Sequence, residues 1–133
     1  MEIAATVTSS SAKHETSVRT GSAVQSLAVP SKAGGGGSAI NGGEFLMLAL
    51  ATCYCNDLYR EAHRLGIAIT SAQVEATAEF PGIGLAATNI RYRATVKSPA
   101  APEAVADLLR QTDAVAEVHN TVRAGVSVEF VSP

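Results

Sequence analysis

Between Glu44 and Cys55 the chain reads Glu-Phe-Leu-Met-Leu-Ala-Leu-Ala-Thr-Cys-Tyr-Cys, and almost no side chain in that run is suited to water. A helix built from it has no polar face, so it has to be covered all round. Its ends are marked. Asn41 is a good N-cap, and Glu44 stands three residues later, where its carboxylate can reach back to the cap's own N–H. Leu65-Gly66 supplies the end, with glycine tolerating the left-handed conformation and Ile67 following as the apolar residue. The expected helix spans about 24 residues, roughly 36 Å at 1.5 Å per residue.

Its two halves differ. Past the apolar run, Cys55, Leu58, Ala62 and Leu65 fall on one face, while Asn56, Asp57, Arg60, Glu61 and Arg64 fill the other. Cys53 points about 200° away from Cys55. One turn further on, its own face carries Asn56, Asp57 and Arg60; one turn back it carries Ala49 and Leu50. Cys55 therefore reads as core, and Cys53 as a thiol where apolar and polar surroundings meet. Their diverging Cβ vectors disfavour a disulfide between them.

The whole chain narrows the class. At 133 residues it is long enough for a core without metal or disulfides, and 1–133 reads as a single domain. A net charge of −2 with no basic cluster argues against nucleic-acid and anionic-membrane partners. The start, MEIAATVTSSSAKHE, shows no secretory signal, and the apolar run is shorter than the roughly 18–20 residues of a membrane span. Two cysteines in one helix are no disulfide framework, so a reducing, cytoplasmic setting is expected. His14, His63 and His119 lack metal-ligand spacing, and no metal or cofactor is expected. Trp is absent and aromatics are few, so a second subunit is the expected cover for the central helix.

Along the chain, residues 2–9 alternate weakly and read as a strand. His14 to Thr20 and Ala23 to Val29 flank Thr20-Gly21-Ser22 as a hairpin. Ser31-Lys-Ala-Gly-Gly-Gly-Gly-Ser38 is a loop by composition, resembles a flexible linker, and has no Gly-Lys-Ser/Thr ending for phosphate. Val74, Ala76, Ala78 and Phe80, then Ile90, Tyr92, Ala94 and Val96, form the inner face of an antiparallel hairpin turning at Pro81-Gly-Ile-Gly84. Its outer face carries Glu75 and Glu79 on one strand and Arg91, Arg93 and Lys97 on the other, which reads as a solvated surface. Pro102-Glu103 opens a shorter helix with Val105, Leu108, Leu109 and Thr112 inward. Val122, Ala124, Val126, Val128 and Phe130 alternate as a last strand. The expected order is β-β-β-α-β-β-α-β, an α+β fold.

That order, and Gly43-Glu-Phe-Leu-Met-Leu-Ala-Leu-Ala-Thr-Cys53 inside it, resemble the OsmC family, which includes the organic hydroperoxide resistance proteins. Members carry a comparable Pro-x-Glu-Leu-Leu-Leu-Ala-Ala-Leu-x-x-Cys run. Asn120-Thr121-Val122 is similar to the tail of the family's Cys-Pro-Val-Ser-Asn-Thr-Leu motif, and Arg19-Thr-Gly21 to its Gly-Arg-Asp-Gly segment. The resemblance implies an intertwined homodimer with sites at the subunit interface. It also implies Cys53 as the thiol that attacks a small apolar hydroperoxide, Arg19 as its activating cation, and Glu44 as the carboxylate that orients the arginine. The residues themselves leave Glu44 a competing role as the capping carboxylate and Arg19 one as a surface residue. The family's second cysteine falls on Ala116 and its proline on Glu117, so an external thiol has to reduce the sulfenic acid. His119 is a candidate polar neighbour of Cys53. Two other functions stay open: a non-catalytic binding module for an apolar small molecule, and a cysteine redox sensor.

Overall fold

The computed structural model describes residues 1–133, which form three helices and two antiparallel sheets, an α+β fold. They divide into two compact units, Met1–Phe45 and Leu46–Pro133.

The first unit is a three-stranded sheet in the order β1 (Ile3–Ser9), β2 (His14–Thr20), β3 (Ala23–Leu27). The pairing Thr20↔Ala23 leaves Gly21-Ser22 as the two-residue turn of the hairpin read from the sequence. Val7, Thr16 and Leu27 lie abreast, so Ile3, Val7 and Leu27 share one face, and all three are exposed. The glycine-rich stretch is not a slack tether. Ser31 bridges Ser38, the Lys32 N–H donates to the Gly37 carbonyl at 2.9 Å, and Gly35 donates back to Lys32 at 2.9 Å. All four glycines from 34 to 37 have positive φ, and a Cβ on Gly35 would sit 2.7 Å from the Ser11 carbonyl oxygen.

Helix α1 (Gly42–Leu65) has the expected bounds. Its capping box is formed: the Glu44 N–H donates to the Asn41 side-chain oxygen and the Asn41 N–H to Glu44, each at 2.8 Å. Leu50, Tyr54, Leu58 and Ala62 are its buried apolar positions, whereas Cys55 is only half-buried. Two residues expected on the wet face are buried as well, Asp57 and Glu61. The reason is local: Arg60 and Arg64 lie over them, Arg60 2.8 Å from Asp57 and Arg64 2.6 Å from Glu61, so neither carboxylate leaves water uncompensated.

The second unit packs α1 from Leu46 onward with the hairpin β4 (Ser71–Glu79)–β5 (Thr88–Lys97) and with α2 (Pro102–Val115). Along the hairpin, inner residues alternate with exposed ones from Ala72 to Ala78 and from Ile90 to Val96, but Phe80, expected inside, lies past the end of β4 and is exposed. Glu75 pairs with Arg93 at 2.7 Å across the outer face. Ala72, Val74, Tyr92, Ala94 and Val96 face a core of Tyr54, Leu58, Ala62, Leu108 and Ala116. Leu58 and Leu108 have no exposed surface. Thr112, equally buried, satisfies its hydroxyl on the Leu108 carbonyl at 2.8 Å.

The expected last strand is absent. Residues Glu117–Ala124 form a further helix, α3, so the order is β-β-β-α-β-β-α-α. Ala116 accepts its first bond from the Asn120 N–H, and Gly125, at φ 60°, closes it by donating to Val122. The alternation beyond Gly125 survives as sequence, but no strand pairs with it, and a strand exists only as part of a ladder. Val126, Val128 and Phe130 are left exposed.

Candidate functional site

Cys53 lies about three turns into α1, beyond reach of the helix N-terminal dipole, and is half-buried. The i,i+4 relation on one helix face brings Asp57 alongside. The thiol has Asp57 Oδ2 at 3.6 Å and Glu117 Oε2, from α3, at 3.9 Å. A thiol has one proton to donate, and the nearer acceptor is Asp57. Arg60 closes the group, with Nη1 2.8 Å from Asp57 Oδ1 and 3.8 Å from Glu117 Oε1. Guanidinium and thiol thus hold opposite oxygens of each carboxylate.

The electrostatics do not favour a resting thiolate. Burial pushes the Cys53 thiol up from its ordinary range, and the charges of Asp57 and Glu117 add to that; a bond from the Val118 backbone N–H works the other way without winning. The two carboxylates diverge. Burial raises Asp57, with Arg60 opposing and Glu117 assisting. Glu117, held first by its own backbone N–H, is lowered.

Behind this group lies an aromatic cluster. His119 (α3) sits with its ring centre 4.4 Å from that of Tyr92 (β5) and 5.9 Å from that of Tyr54 (α1). It is 3% exposed, and both its ring nitrogens lack hydrogen-bond partners. Tyr54 donates to the Leu109 carbonyl at 2.8 Å, while Tyr92 donates to Asp113, which Arg123 also holds at 2.6 Å. His119, expected either as a surface histidine or as a polar neighbour of Cys53, is instead buried among these rings, and no hydrogen bond joins it to the thiol.

The other two residues singled out from the sequence are engaged elsewhere. Arg19 donates to the Gly21 carbonyl at 2.7 Å and pairs with Glu2. Glu44 is engaged at Asn41. Glu117 carries no catalytic signature in the sequence; its only signal is its place where the OsmC motif has proline. Asp57 was visible on the face of Cys53, but its burial was not. Cys53, Asp57 and Glu117 also form a set of possible metal donors within 4.8 Å of one another. Arg60 is shared between the two carboxylates, 2.8 Å from Asp57 and 3.8 Å from Glu117.

The α+β fold is shared with solved OsmC-like and hydroperoxide-resistance structures. An OsmC-like protein from Mycoplasma pneumoniae superposes with a TM-score of 0.65 at 17% identity, over 92% of this chain and 86% of that one. An organic hydroperoxide resistance protein from Elizabethkingia anophelis gives 0.63 at 17% identity, over 96% of this chain and 91% of that one. An organic hydroperoxide resistance protein from Legionella pneumophila gives 0.59 at 16% identity, over 97% and 94%. No curated protein sequence matches. The model of the OsmC-like protein family matches residues 35–131, and the chain belongs to that family.

Proposed function

We propose that this OsmC-like protein reduces organic hydroperoxides through Cys53 in a one-cysteine cycle. The observation that carries the reading is the half-buried thiol at the polar edge of an apolar helix, with proton acceptors within reach. The sulfur attacks the terminal peroxide oxygen and becomes a sulfenic acid as the alcohol leaves. Ala116, with no exposed surface, stands where a resolving cysteine would be. An external thiol therefore condenses with the sulfenic acid, releasing water, and a second thiol frees Cys53 as the disulfide departs. Arg19 and Glu44 enter on family resemblance, and Arg19 assists a thiolate only by exchanging its Glu2 contact for it.

The proposal includes a homodimer. Exposed apolar side chains occur at Ile3 and Val7 on β1, at Leu48 on α1 and at Val126, Val128 and Phe130, a pattern that a second copy of this chain would cover. No helix is long and apolar enough to cross a membrane.

Stopped-flow mixing with cumene hydroperoxide, with sulfenic acid trapped and assigned to Cys53, tests the chemistry. Reaction no faster than that of free cysteine removes it. A second reading, a binding module for an apolar small molecule, draws support from the upward-shifted thiol. Cys53→Ser separates the two: a binder keeps its ligand, whereas a peroxidase loses turnover.

A further inference from the structure

Resting on the peroxide reading above, we propose that Asp57 is the acid–base partner of Cys53. It accepts the thiol proton as sulfur attacks and returns it to the departing alkoxide.

The geometry divides the carboxylate between two tasks. Oδ1 is anchored by Arg60 at 2.8 Å, which leaves Oδ2 facing the sulfur at 3.6 Å. Both residues ride on α1 four positions apart, so the spacing is set by the helix itself. Asp57 is 5% exposed, so bulk water is a poor competitor for that proton. The charged and titratable groups that act on it are Cys53 and Arg60 from α1, and Glu117 and His119 from α3. Of the two adjacent carboxylates, Asp57 is displaced toward the protonated form and Glu117 away from it, which assigns the proton-carrying role to Asp57. A thiol whose own titration is pushed up needs such a base, because little thiolate exists at neutral pH for a peroxide to meet.

The step balances. The Cys53 S–H bond breaks and its proton passes to Asp57 Oδ2. Sulfur bonds to the terminal peroxide oxygen, which keeps its hydrogen, and the O–O bond breaks. Sulfur loses two electrons to become the sulfenic acid. The alkoxide that leaves takes the proton from Asp57 and departs as the alcohol.

The test measures the second-order rate of Cys53 oxidation by cumene hydroperoxide against pH, in a Cys55→Ser background so that a single thiol reports. With Asp57 intact the rate should be nearly flat between about pH 6 and 8, since the base travels with the thiol. Asp57→Asn should slow the reaction by roughly 10²- to 10⁴-fold at pH 7 and restore a tenfold rise per pH unit. Asp57→Glu should recover part of the loss. A charge that merely repels the thiolate predicts the opposite sign, because its removal lowers the thiol pKa and speeds the reaction. A faster or unchanged Asp57→Asn protein therefore overturns the proposal. If that variant does not fold, the Asp57-intact profile still decides, and a unit slope up to the thiol titration overturns it. Asp57-intact protein that reacts no faster than free cysteine overturns the peroxide reading itself, a result distinct from rapid reaction that ignores Asp57.

Discussion

Replacing His119 by phenylalanine should make this protein more stable and less sensitive to acid. The imidazole is buried between Tyr54 and Tyr92, and neither ring nitrogen finds a partner. Each buried unsatisfied polar atom costs about 1–3 kcal/mol. A phenyl ring removes both and can keep the edge-on contact with Tyr92, while its extra bulk in a packed core costs about 1–3 kcal/mol. The central values, about 4 kcal/mol regained and about 2 lost, leave a net gain of about 2 kcal/mol, with each kcal/mol raising the midpoint of thermal unfolding by roughly 3–5 °C in a chain of this size. The acid effect has a definite sign. Burial holds the His119 imidazole below its ordinary 6.5, helped by Arg123 on its own helix and opposed by Asp113 from α2 and Asp57 from α1. As pH falls through about 6.5, the unfolded chain takes a proton that the folded one refuses, so stability drops. His119→Phe lacks that loss, whereas all other groups contribute alike to both proteins. Urea unfolding of the two at matched concentration, from pH 7.5 to 5, measures both effects. A variant less stable at pH 7.5, or two proteins losing stability in parallel toward pH 5, would refute the reasoning.

Other outcomes follow from the same packing. Leu58→Ala empties a position with no exposed surface and should cost about 2–5 kcal/mol in denaturant unfolding. Glu44→Ala breaks one arm of the capping box and should cost about 1 kcal/mol, whereas Glu44→Gln can keep the cap and should leave the urea midpoint nearly unmoved. If Glu44→Gln also oxidises at the wild-type rate, its carboxylate has no part in orienting Arg19. Arg19→Met should change stability by less than about 1 kcal/mol, since its Glu2 partner is well exposed, and its oxidation rate then reports any catalytic role. If the proposed homodimer forms through the exposed Val128 and Phe130 side chains, Val128→Asp with Phe130→Asp should shift sedimentation from dimer to monomer; wild-type protein that is already monomeric at micromolar concentration sinks that proposal.

Much of the fold was legible because it rests on local signals. Asn41 with Glu44 and Gly66 bracketed α1, and the period-two pattern of 74–78 and 90–96 gave β4 and β5 their inner faces, although it ran on to Phe80, which lies beyond the strand and is exposed. The last element failed because Val122–Phe130 carries two signals. Alternation argued for a strand, but Gly125 is a helix C-cap, and helix α3 took the residues before it. Whether 126–130 extends depends on a pairing partner, which a single sequence does not contain. The site was half legible. Helical spacing put Asp57 beside Cys53, yet Glu117 lies 64 positions away, and only the docking of α3 brings it to the sulfur. The burial of Asp57 and Glu61 was hidden because their cover comes from arginines one turn along or adjacent, residues that read equally well as free surface.

The four glycines at 34–37 bear on how this protein can be handled. A run of that composition invites a fused tag or an inserted reporter, on the assumption that nothing there is held. Here every one of the four torsions is of the kind that side chains resist, and the closest backbone neighbour leaves no space for even a methyl at position 35. The segment behaves as a clasp fastened between Ser31 and Ser38, and foreign sequence placed inside it would unfasten the strand-to-helix junction.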